Sequence, residues 1–283
     1  DDGHKRLAAV FLFPGQGAQY AGMGLGLLGV APSYTQAFER CRALISTHAG
    51  FDLHDKLAAD ADADADACVL LLTDVAQPAL FALGYSLAVE LMDLGLRPEA
   101  MIGHSVGEWV AACVAGVFDL EDAIRLVCER GRLMQASTAG AMLSISASRE
   151  QAERCYDAAS VALAAVNGPQ NYVVSGELAA IARVEERLNQ AAIECRKLQT
   201  SHAFHSPMMA NAAKGLREML AGLSLKAPQL RFVSNLSGTF ITDNQACDPD
   251  YWAAQLLAPV QFAQGLESVC QAMGADDLDL AFV

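Results

Sequence analysis

The stretch Glu99-Ala100-Met101-Ile102-Gly103-His104-Ser105-Val106-Gly107-Glu108-Trp109-Val110 changes character at its middle. Its first half is a short apolar run and predicts a buried strand over Glu99–Gly103. Its second half is rich in small and apolar residues and predicts a helix from Val106. Between them, Gly103-His104-Ser105-Val106-Gly107 fits G-x-S-x-G in the strand–turn–helix context of a nucleophile elbow. The glycines permit the sharp turn and close packing around it. Ser105 then stands at a helix N-terminus, where free N–H groups and the helix dipole favour negative charge. A serine that only caps the helix is the plainer alternative. Strand, motif and helix together favour a nucleophile.

Working outward, Ala8–Phe13 reads as a second buried strand, ended by Pro14-Gly15-Gln16-Gly17. Gln77–Leu94 reads as a long helix with Leu80, Leu83, Leu87 and Leu91 at 3–4 spacing, and Leu120–Gln135 as another. Ala58–Cys68 alternates Ala and Asp with no large apolar side chain, which predicts an exposed low-complexity loop. From Ala141 the order changes to β-α-β-β-α-β, with strands at Ala141–Ala147, Val161–Val166, Asn171–Ser175 and Glu194–Gln199. That is the split βαβ order of a ferredoxin-like unit. Beyond it, a strand is expected at Leu230–Ser234 and a last one at Leu278–Val283. The fold class is therefore α/β. A hydrolase-like large subdomain (1–137 and 201–283) carries the elbow, and 138–200 form an inserted ferredoxin-like small subdomain.

Composition narrows the function. The chain has 283 residues, 53% of them hydrophobic, and a net charge of −14. Such an apolar fraction excludes extended disorder. The acidic balance argues against nucleic acid as a partner, since phosphate neutralisation needs clustered Lys and Arg. No apolar run approaches the roughly 18 residues of a membrane span, so no membrane is expected. The eight cysteines lack metal-ligand spacing, which predicts buried thiols and no metal site. With no signal peptide at its start, the chain reads as cytoplasmic.

A serine nucleophile needs a base. His104 adjoins Ser105 and is expected to point away from it. His202 and His205, in Ser201-His202-Ala203-Phe204-His205-Ser206, fall at the subdomain boundary and compete for the role. No acid stands out as a third triad member, and a backbone carbonyl would serve to orient the imidazole. The Gln16 turn can aim a backbone N–H at an oxyanion. On Leu120–Gln135, Arg130 sits at the edge of the apolar stripe. It needs an anion there, either a structural Asp or Glu or a substrate carboxylate. Gly24 to Gly29 nominally fits G-x-G-x-x-G but begins eleven residues after a strand, too far for a dinucleotide turn.

With these residues in hand, the chain resembles the malonyl-CoA:acyl-carrier-protein acyltransferase family, and within it the acyltransferase domains of modular polyketide synthases. The marks are Phe13-Pro14-Gly15-Gln16-Gly17-Ala18-Gln19, Gln77-Pro78, Gly103 to Glu108, Arg130-Gly131-Arg132, Asn167-Gly168-Pro169 and His202-Ala203-Phe204-His205. The resemblance covers nearly the whole length. It implies Ser105 as acylated nucleophile, His205 as base, Gln16 and Val106 as oxyanion-hole donors, and Arg130 as the clamp on a free carboxylate. It also places Gln77 near the pocket and implies a carbonyl within Leu257 to Val260 as the orienter of the base. His202 and Phe204 match specificity positions. Val106 with His202-Ala203-Phe204-His205 resembles malonyl-selective domains, whereas methylmalonyl-selective ones tend to carry Gln and Tyr-Ala-Ser-His. Trp109 stands where a smaller or phenolic residue is usual and is expected to alter the pocket wall.

The resemblance implies no bound cofactor. The substrates would be malonyl-CoA and the phosphopantetheine thiol of an acyl carrier protein, with neighbouring synthase domains as further partners. Residue 1 is Asp, and Val283 precedes the Gly-Pro segment usual in the family, so flanking linkers are expected to be absent or partial. Two other readings compete. A serine hydrolase or thioesterase shares the elbow, though the missing acid and Arg130 weigh against it. A non-catalytic docking module would not need Ser105 and His205.

Overall fold

The computed structural model describes residues 6–59, 69–275 and 278–283. The Ala-Asp loop falls almost entirely outside the described residues. Strand β1 (Arg6–Phe13) lies between β2 (Pro98–Gly103) and β7 (Leu278–Phe282), all parallel. Around this sheet stand α1 (Pro32–Ala49), α2 (Leu53–Ala58), α3 (Thr73–Asp93), α4 (Val106–Val114) and α5 (Leu120–Gln135). The expected strand at Leu230–Ser234 does not form as such. Phe232 makes one parallel bridge to Met101 and Val233 one antiparallel bridge to Phe240, so the chain touches the β2 edge and leaves it.

The middle segment builds a separate antiparallel sheet from β3 (Ala141–Ile145), β4 (Val161–Gly168), β5 (Asn171–Gly176) and β6 (Cys195–Lys197), in the order β4-β5-β3-β6. Helices α6 (Arg149–Glu153) and α7 (Leu178–Gln190) follow the first and third of these strands, as a ferredoxin-like unit requires. The strand period of two divides its faces. Leu143, Ile145 and Val174 pack in a core with Ile181, Val184 and Leu188 of α7. Met142, Ala165 and Val173 face the opposite way and join the core of the large unit. The chain returns through α8 (Ala210–Leu220), α9 (Asp243–Ala246), α10 (Pro249–Ala254) and α11 (Phe262–Ala275).

Helix α3 starts at Thr73, four residues before the sequence reading put it, with Pro78 inside. Its first N–H is capped from a distance: the Thr73 N–H donates to Gln135 Oε1 at 2.7 Å. No local pattern announces that cap. By length and composition α3 is apolar enough to cross a membrane, but most of it is buried among α1, α4 and α5, as a core helix.

The elbow depends on close approach. A Cβ on Gly107 would lie 2.2 Å from the Phe13 carbonyl oxygen, so β1 and the start of α4 touch backbone to backbone. The His104 N–H donates to that same carbonyl at 2.9 Å. Gly107→Ala must push strand and helix apart and is expected to cost about 3 kcal/mol. Urea unfolding of the variant beside the parent protein reads this directly, and an unchanged midpoint would show that the contact is dispensable.

Candidate active site

Ser105 occupies a strained backbone conformation, φ 54° and ψ −110°, at the junction of β2 and α4. Such strain costs about 1–3 kcal/mol and persists only when the surroundings impose it. Here they do. The Ser105 N–H donates to Asn235 Oδ1 at 2.8 Å, and the Ser105 carbonyl accepts from Gln255 Nε2 at 2.8 Å. Asn235 also donates through Nδ2 to the Gly103 carbonyl at 2.7 Å. Both ends of the turn are thus held by side chains more than a hundred residues away.

His205 Nε2 lies 2.8 Å from Ser105 Oγ, and His205 Nδ1 lies 3.0 Å from the Ala258 carbonyl. A carbonyl only accepts, so Nδ1 carries the proton and Nε2 is left to receive one from Ser105. The structure therefore pairs Ser105 with His205 rather than His202, and a main-chain oxygen takes the orienting place. His205 is itself at φ 54°. Burial, then the charge of Arg130, then His104 push its pKa down to about 3, so the imidazole is neutral and ready to accept.

Arg130 is fully buried. Its fork reaches Gln77 Oε1 at 2.5 Å, Ser105 Oγ at 3.2 Å and Gln255 Oε1 at 3.5 Å. All three acceptors are neutral, and its Nε has no partner among the described residues. The nearest counter-charge is Glu108, held at one remove: Gln255 Nε2 donates to Glu108 Oε2 at 2.9 Å. Tyr251 donates to the same carboxylate, as does the Asn235 N–H at 3.2 Å. Burial raises Glu108 to about 7 against these donors, and burial lowers Arg130.

Gln16 and Val106 flank Ser105. Val106 is the first residue of α4, so its N–H has no acceptor within the helix. The Gln16 N–H finds no acceptor among the described residues. The Gln16 side chain makes only long contacts, to Thr73 Oγ1 at 3.4 Å and Gln77 Nε2 at 3.5 Å. Gln77 is buried behind it and links it to Arg130.

A cleft of about 750 Å³ opens over Ser105 between the two sheets. Gln16, His104, His205 and Phe204 line it on one side, Met142, Ser144, Ala165 and Val173 on the other. His104 is a correction: its ring faces the cleft, with Nε2 3.0 Å from Asn167 Oδ1, because contact with β4 and Phe262 turns it inward. Trp109 is another. It does not reach the cleft wall but is fully buried, stacked on Phe118 and against Trp252, with Nε1 donating to Gln255 Oε1 at 3.1 Å. It lies on the core side of α4, where its indole finds two aromatic partners and an acceptor. His202 is also away from the cleft lining. Its Nε2 lies 3.1 Å from the Ser137 carbonyl and its Nδ1 2.8 Å from Ser201 Oγ. It ties together the two connections between the sheets, which also bridge at Ala139 and His202. Among the described residues no group of three His, Cys, Asp or Glu is placed to hold a metal ion. Of the seven described cysteines, four are buried.

The sequence reading missed Asn235 and Gln255. Asn235 follows Ser234 where a strand end was expected, the one hint of a site residue. Gln255 ends a short helix and carries no signal. Glu108 stood within the elbow motif without a role.

Residues 10–282 match the family described as the acyl transferase domain. A phenolphthiocerol/phthiocerol polyketide synthase protein of Mycobacterium tuberculosis is 40% identical over 263 residues, 93% of this chain and 17% of that synthase. The spectinabilin polyketide synthase protein NorB of Streptomyces orinoci is 38% identical over 94% of this chain and 12% of its own length. The chain thus spans under a fifth of these curated relatives. Among solved structures, the acyl transferase domain of SpnD, in complex with 2-(pent-4-yn-1-yl)malonyl, superposes with a TM-score of 0.88 at 32% identity. That match covers 99% of this chain and 65% of that one. The malonyl CoA-acyl carrier protein transacylase of Burkholderia pseudomallei gives 0.84 at 29% identity, over 98% of this chain and 92% of that one.

The depressed pKa of His205 has a readable consequence. Covalent labelling of Ser105 by a fluorophosphonate is expected to keep its rate as pH falls through 6.5, with the acid limb below about pH 5. Arg130→Met removes a charge that disfavours the imidazolium, so the limb should move upward while burial still holds it under 6.5. A limb at 6.5 in the parent protein would contradict this account of the site.

Proposed function

The chain belongs to the acyl transferase domain family, and from that premise we propose that it moves a malonyl group from CoA to the phosphopantetheine thiol of an acyl carrier protein. The observation that carries the reading is the Ser105–His205–Ala258 relay set beside a buried arginine with no anion on its fork. Ser105 Oγ attacks the thioester carbonyl while its proton passes to His205 Nε2. The N–H groups of Gln16 and Val106 receive the developing oxyanion. CoA departs as the thiol, taking the proton from His205. The carrier thiol then repeats the sequence in reverse on the acyl-serine. The curated relatives of this chain are polyketide synthases several times its length, and extender-unit supply within a larger synthase, in the cytoplasm, is the setting proposed here. No resident cofactor has a part in these steps.

Arg130 supports a dicarboxylic substrate. A free carboxylate of the malonyl group meets its fork bidentately and replaces neutral acceptors with an anion. A plain acyl group leaves the guanidinium buried without one. The carboxylate also offsets the charge that disfavours protonation of His205, so the correct substrate eases its own proton transfer. These points weigh against a serine hydrolase, which has no need of a buried cation at the nucleophile.

Intact-mass measurement after mixing with malonyl-CoA is expected to show a malonyl adduct that Ser105→Ala abolishes. His205→Ala should slow transfer by about a thousandfold or more. Arg130→Ala should lower malonyl loading and relatively favour acetyl in a competition of the two CoA esters. Equal malonyl-to-acetyl ratios in parent and variant would reduce Arg130 to a structural cation.

The extender preference follows from volume. Phe204 is nearly buried, lines the cleft and adjoins His205, where its ring takes up space an α-methyl needs. Selection by one methyl is worth about 1–3 kcal/mol, or roughly 10- to 200-fold. Malonyl should therefore be preferred without excluding methylmalonyl, and Phe204→Ser should narrow the gap. His202 is not in the lining itself but stacks on Phe204 with ring centroids 6.1 Å apart, so His202→Tyr acts through that ring and through the connection it ties. Predominant methylmalonyl loading on the parent protein in equal competition would refute the role given to Phe204.

A further inference from the structure

The Gln255 side-chain amide is surrounded by partners of fixed polarity. At one end, Nε2 donates to the Ser105 carbonyl at 2.8 Å and to Glu108 Oε2 at 2.9 Å. At the other, Oε1 accepts from Trp109 Nε1 at 3.1 Å and from Arg130 Nη2 at 3.5 Å. An indole nitrogen and a guanidinium only donate, and a main-chain carbonyl only accepts, so the amide has one permitted orientation. Both hydrogens of Nε2 and both lone pairs of Oε1 are in use. The two donors to Oε1 are unequal. Trp109 holds the shorter contact and cannot retreat: its ring is wholly buried, stacked on Phe118 with centroids 5.4 Å apart and against Trp252 at 4.8 Å. Arg130 holds the longer contact, and the same Nη2 reaches Ser105 Oγ at 3.2 Å.

We propose that Trp109 is a positioning residue for acyl selectivity: its N–H occupies the Gln255 oxygen and so keeps Arg130 beside Ser105 instead of on the amide. The proposal rests on the thioester-transfer reading above, in which Arg130 receives the free carboxylate. Its basis is competition for one acceptor. A charged donor makes a stronger hydrogen bond than a neutral one, and with free access Arg130 would take Oε1 at ordinary length. The rigid indole fills one lone-pair direction and fixes the amide plane, and Oε1 stays 3.5 Å from Nη2. Nε2 cannot yield to close that gap, being tied to the elbow and to Glu108. Loss of the indole N–H therefore releases only the oxygen end of the amide. That end swings toward Nη2 and draws the guanidinium off Ser105 Oγ. Trp109 does not line the cleft and acts through Gln255. Trp252 is the natural comparison. Its indole packs in the same cluster, but its N–H donates to the Ala246 carbonyl at 3.0 Å and has no hold on the amide.

The test uses Trp109→Phe, which keeps an aromatic ring and removes the donor. Ser105 labelling is timed with a neutral fluorophosphonate and with one bearing a carboxylate, and loading is timed with acetyl-CoA and malonyl-CoA. The preference for the anionic member of each pair is expected to fall about fivefold, the worth of one neutral hydrogen bond, with the loss carried by the anionic member. Trp252→Phe should leave both preferences unchanged. Gln255→Met should lower the preference by itself, and adding Trp109→Phe to it should lower it no further, because a residue acting through the amide then has nothing to act on. The chain has two tryptophans. Where Trp109→Phe does not fold, producing the Trp252→Phe protein with benzothienylalanine in place of tryptophan exchanges the remaining indole N–H for sulfur with little change of shape, and the same fivefold fall is expected. An unchanged anionic preference in the protein without this N–H would overturn the proposal. An equal fall in Trp252→Phe would overturn it by assigning the effect to packing. A further fivefold fall from Trp109→Phe on top of Gln255→Met would overturn it by assigning the effect to a route other than the amide. Failure of the thioester-transfer reading is separate: a parent protein that reacts with both fluorophosphonates but takes no malonyl from CoA ends that reading, while the fluorophosphonate pair still decides the role of Trp109.

Discussion

A single buried carboxylate, Glu108, holds the reactive turn in place. It sits in the first turn of α4 and collects hydrogen bonds from Tyr251, Gln255 and the Asn235 N–H. Two of those partners then do the positioning. Asn235 seizes the Ser105 N–H and Gln255 the Ser105 carbonyl, so a backbone that would relax to negative φ is fixed on both sides. An unpaired charge at this depth would cost several kcal/mol. Arg130 supplies the opposite sign without a direct salt bridge, through the two ends of one amide: Gln255 gives its NH₂ to Glu108 and its oxygen to Arg130. The amide keeps the ions apart and leaves the arginine fork free to reach Gln77 and Ser105.

That separation explains how the site combines a serine, a neutral imidazole and a cation in a small volume. Had Arg130 closed on Glu108 directly, its charge would be spent inside the core. Had no anion been near, the guanidinium would have no compensation at all. The base is held by similar means. Ala258, which accepts from His205, lies in a loop whose Val260 bridges to Ala165, with the Val166 N–H donating to the Val260 carbonyl at 2.8 Å. The acceptor that orients the imidazole is therefore fixed to the small sheet, while the imidazole itself belongs to the large unit. The relay spans the boundary, and its geometry depends on both sheets keeping their relative place.

Much of this was legible in sequence because it is local. A strand, a G-x-S-x-G turn and a small-residue helix occupy a dozen consecutive residues, and their chemistry follows from their order. The βαββαβ unit was legible for the same reason, its first three strands being short, largely apolar and bounded by turn residues, though the last, Cys195–Lys197, is polar. What escaped reading is what depends on pairs remote in sequence. Gln135 capping α3, Asn235 reaching Ser105 and Gln255 bridging two ions are each single polar residues in unremarkable surroundings. Leu230–Ser234 has strand composition but meets the sheet only at bridges, since composition fixes preference and not the length of a pairing partner. The errors at Trp109 and His104 share one cause. Which face of an element looks onto a cleft is decided by the packing of distant segments, here Trp252 and Phe118 on one side and β4 with Phe262 on the other.

The acidity of the chain bears on how the proposed anionic substrates would enter. At physiological salt, charges farther apart than about 8 Å are largely screened. A net charge of −14 spread over the outer surface therefore opposes approach only weakly once a substrate is at the cleft mouth. Inside, screening fails, and few charges count for much. Arg130, in contact with Ser105 Oγ, is wholly buried, and its only nearby anion among the described residues stands behind an amide. His205 is kept neutral by burial and by that same cation. On the proposed function, an anionic acyl group would gain there what a neutral one cannot, by setting a charge of opposite sign against a desolvated guanidinium that has only neutral acceptors. On that proposal, selectivity for a dicarboxylic acyl group would be a property of burial as much as of the arginine. The same residue on the surface, bathed in water and salt, would distinguish the two substrates by very little.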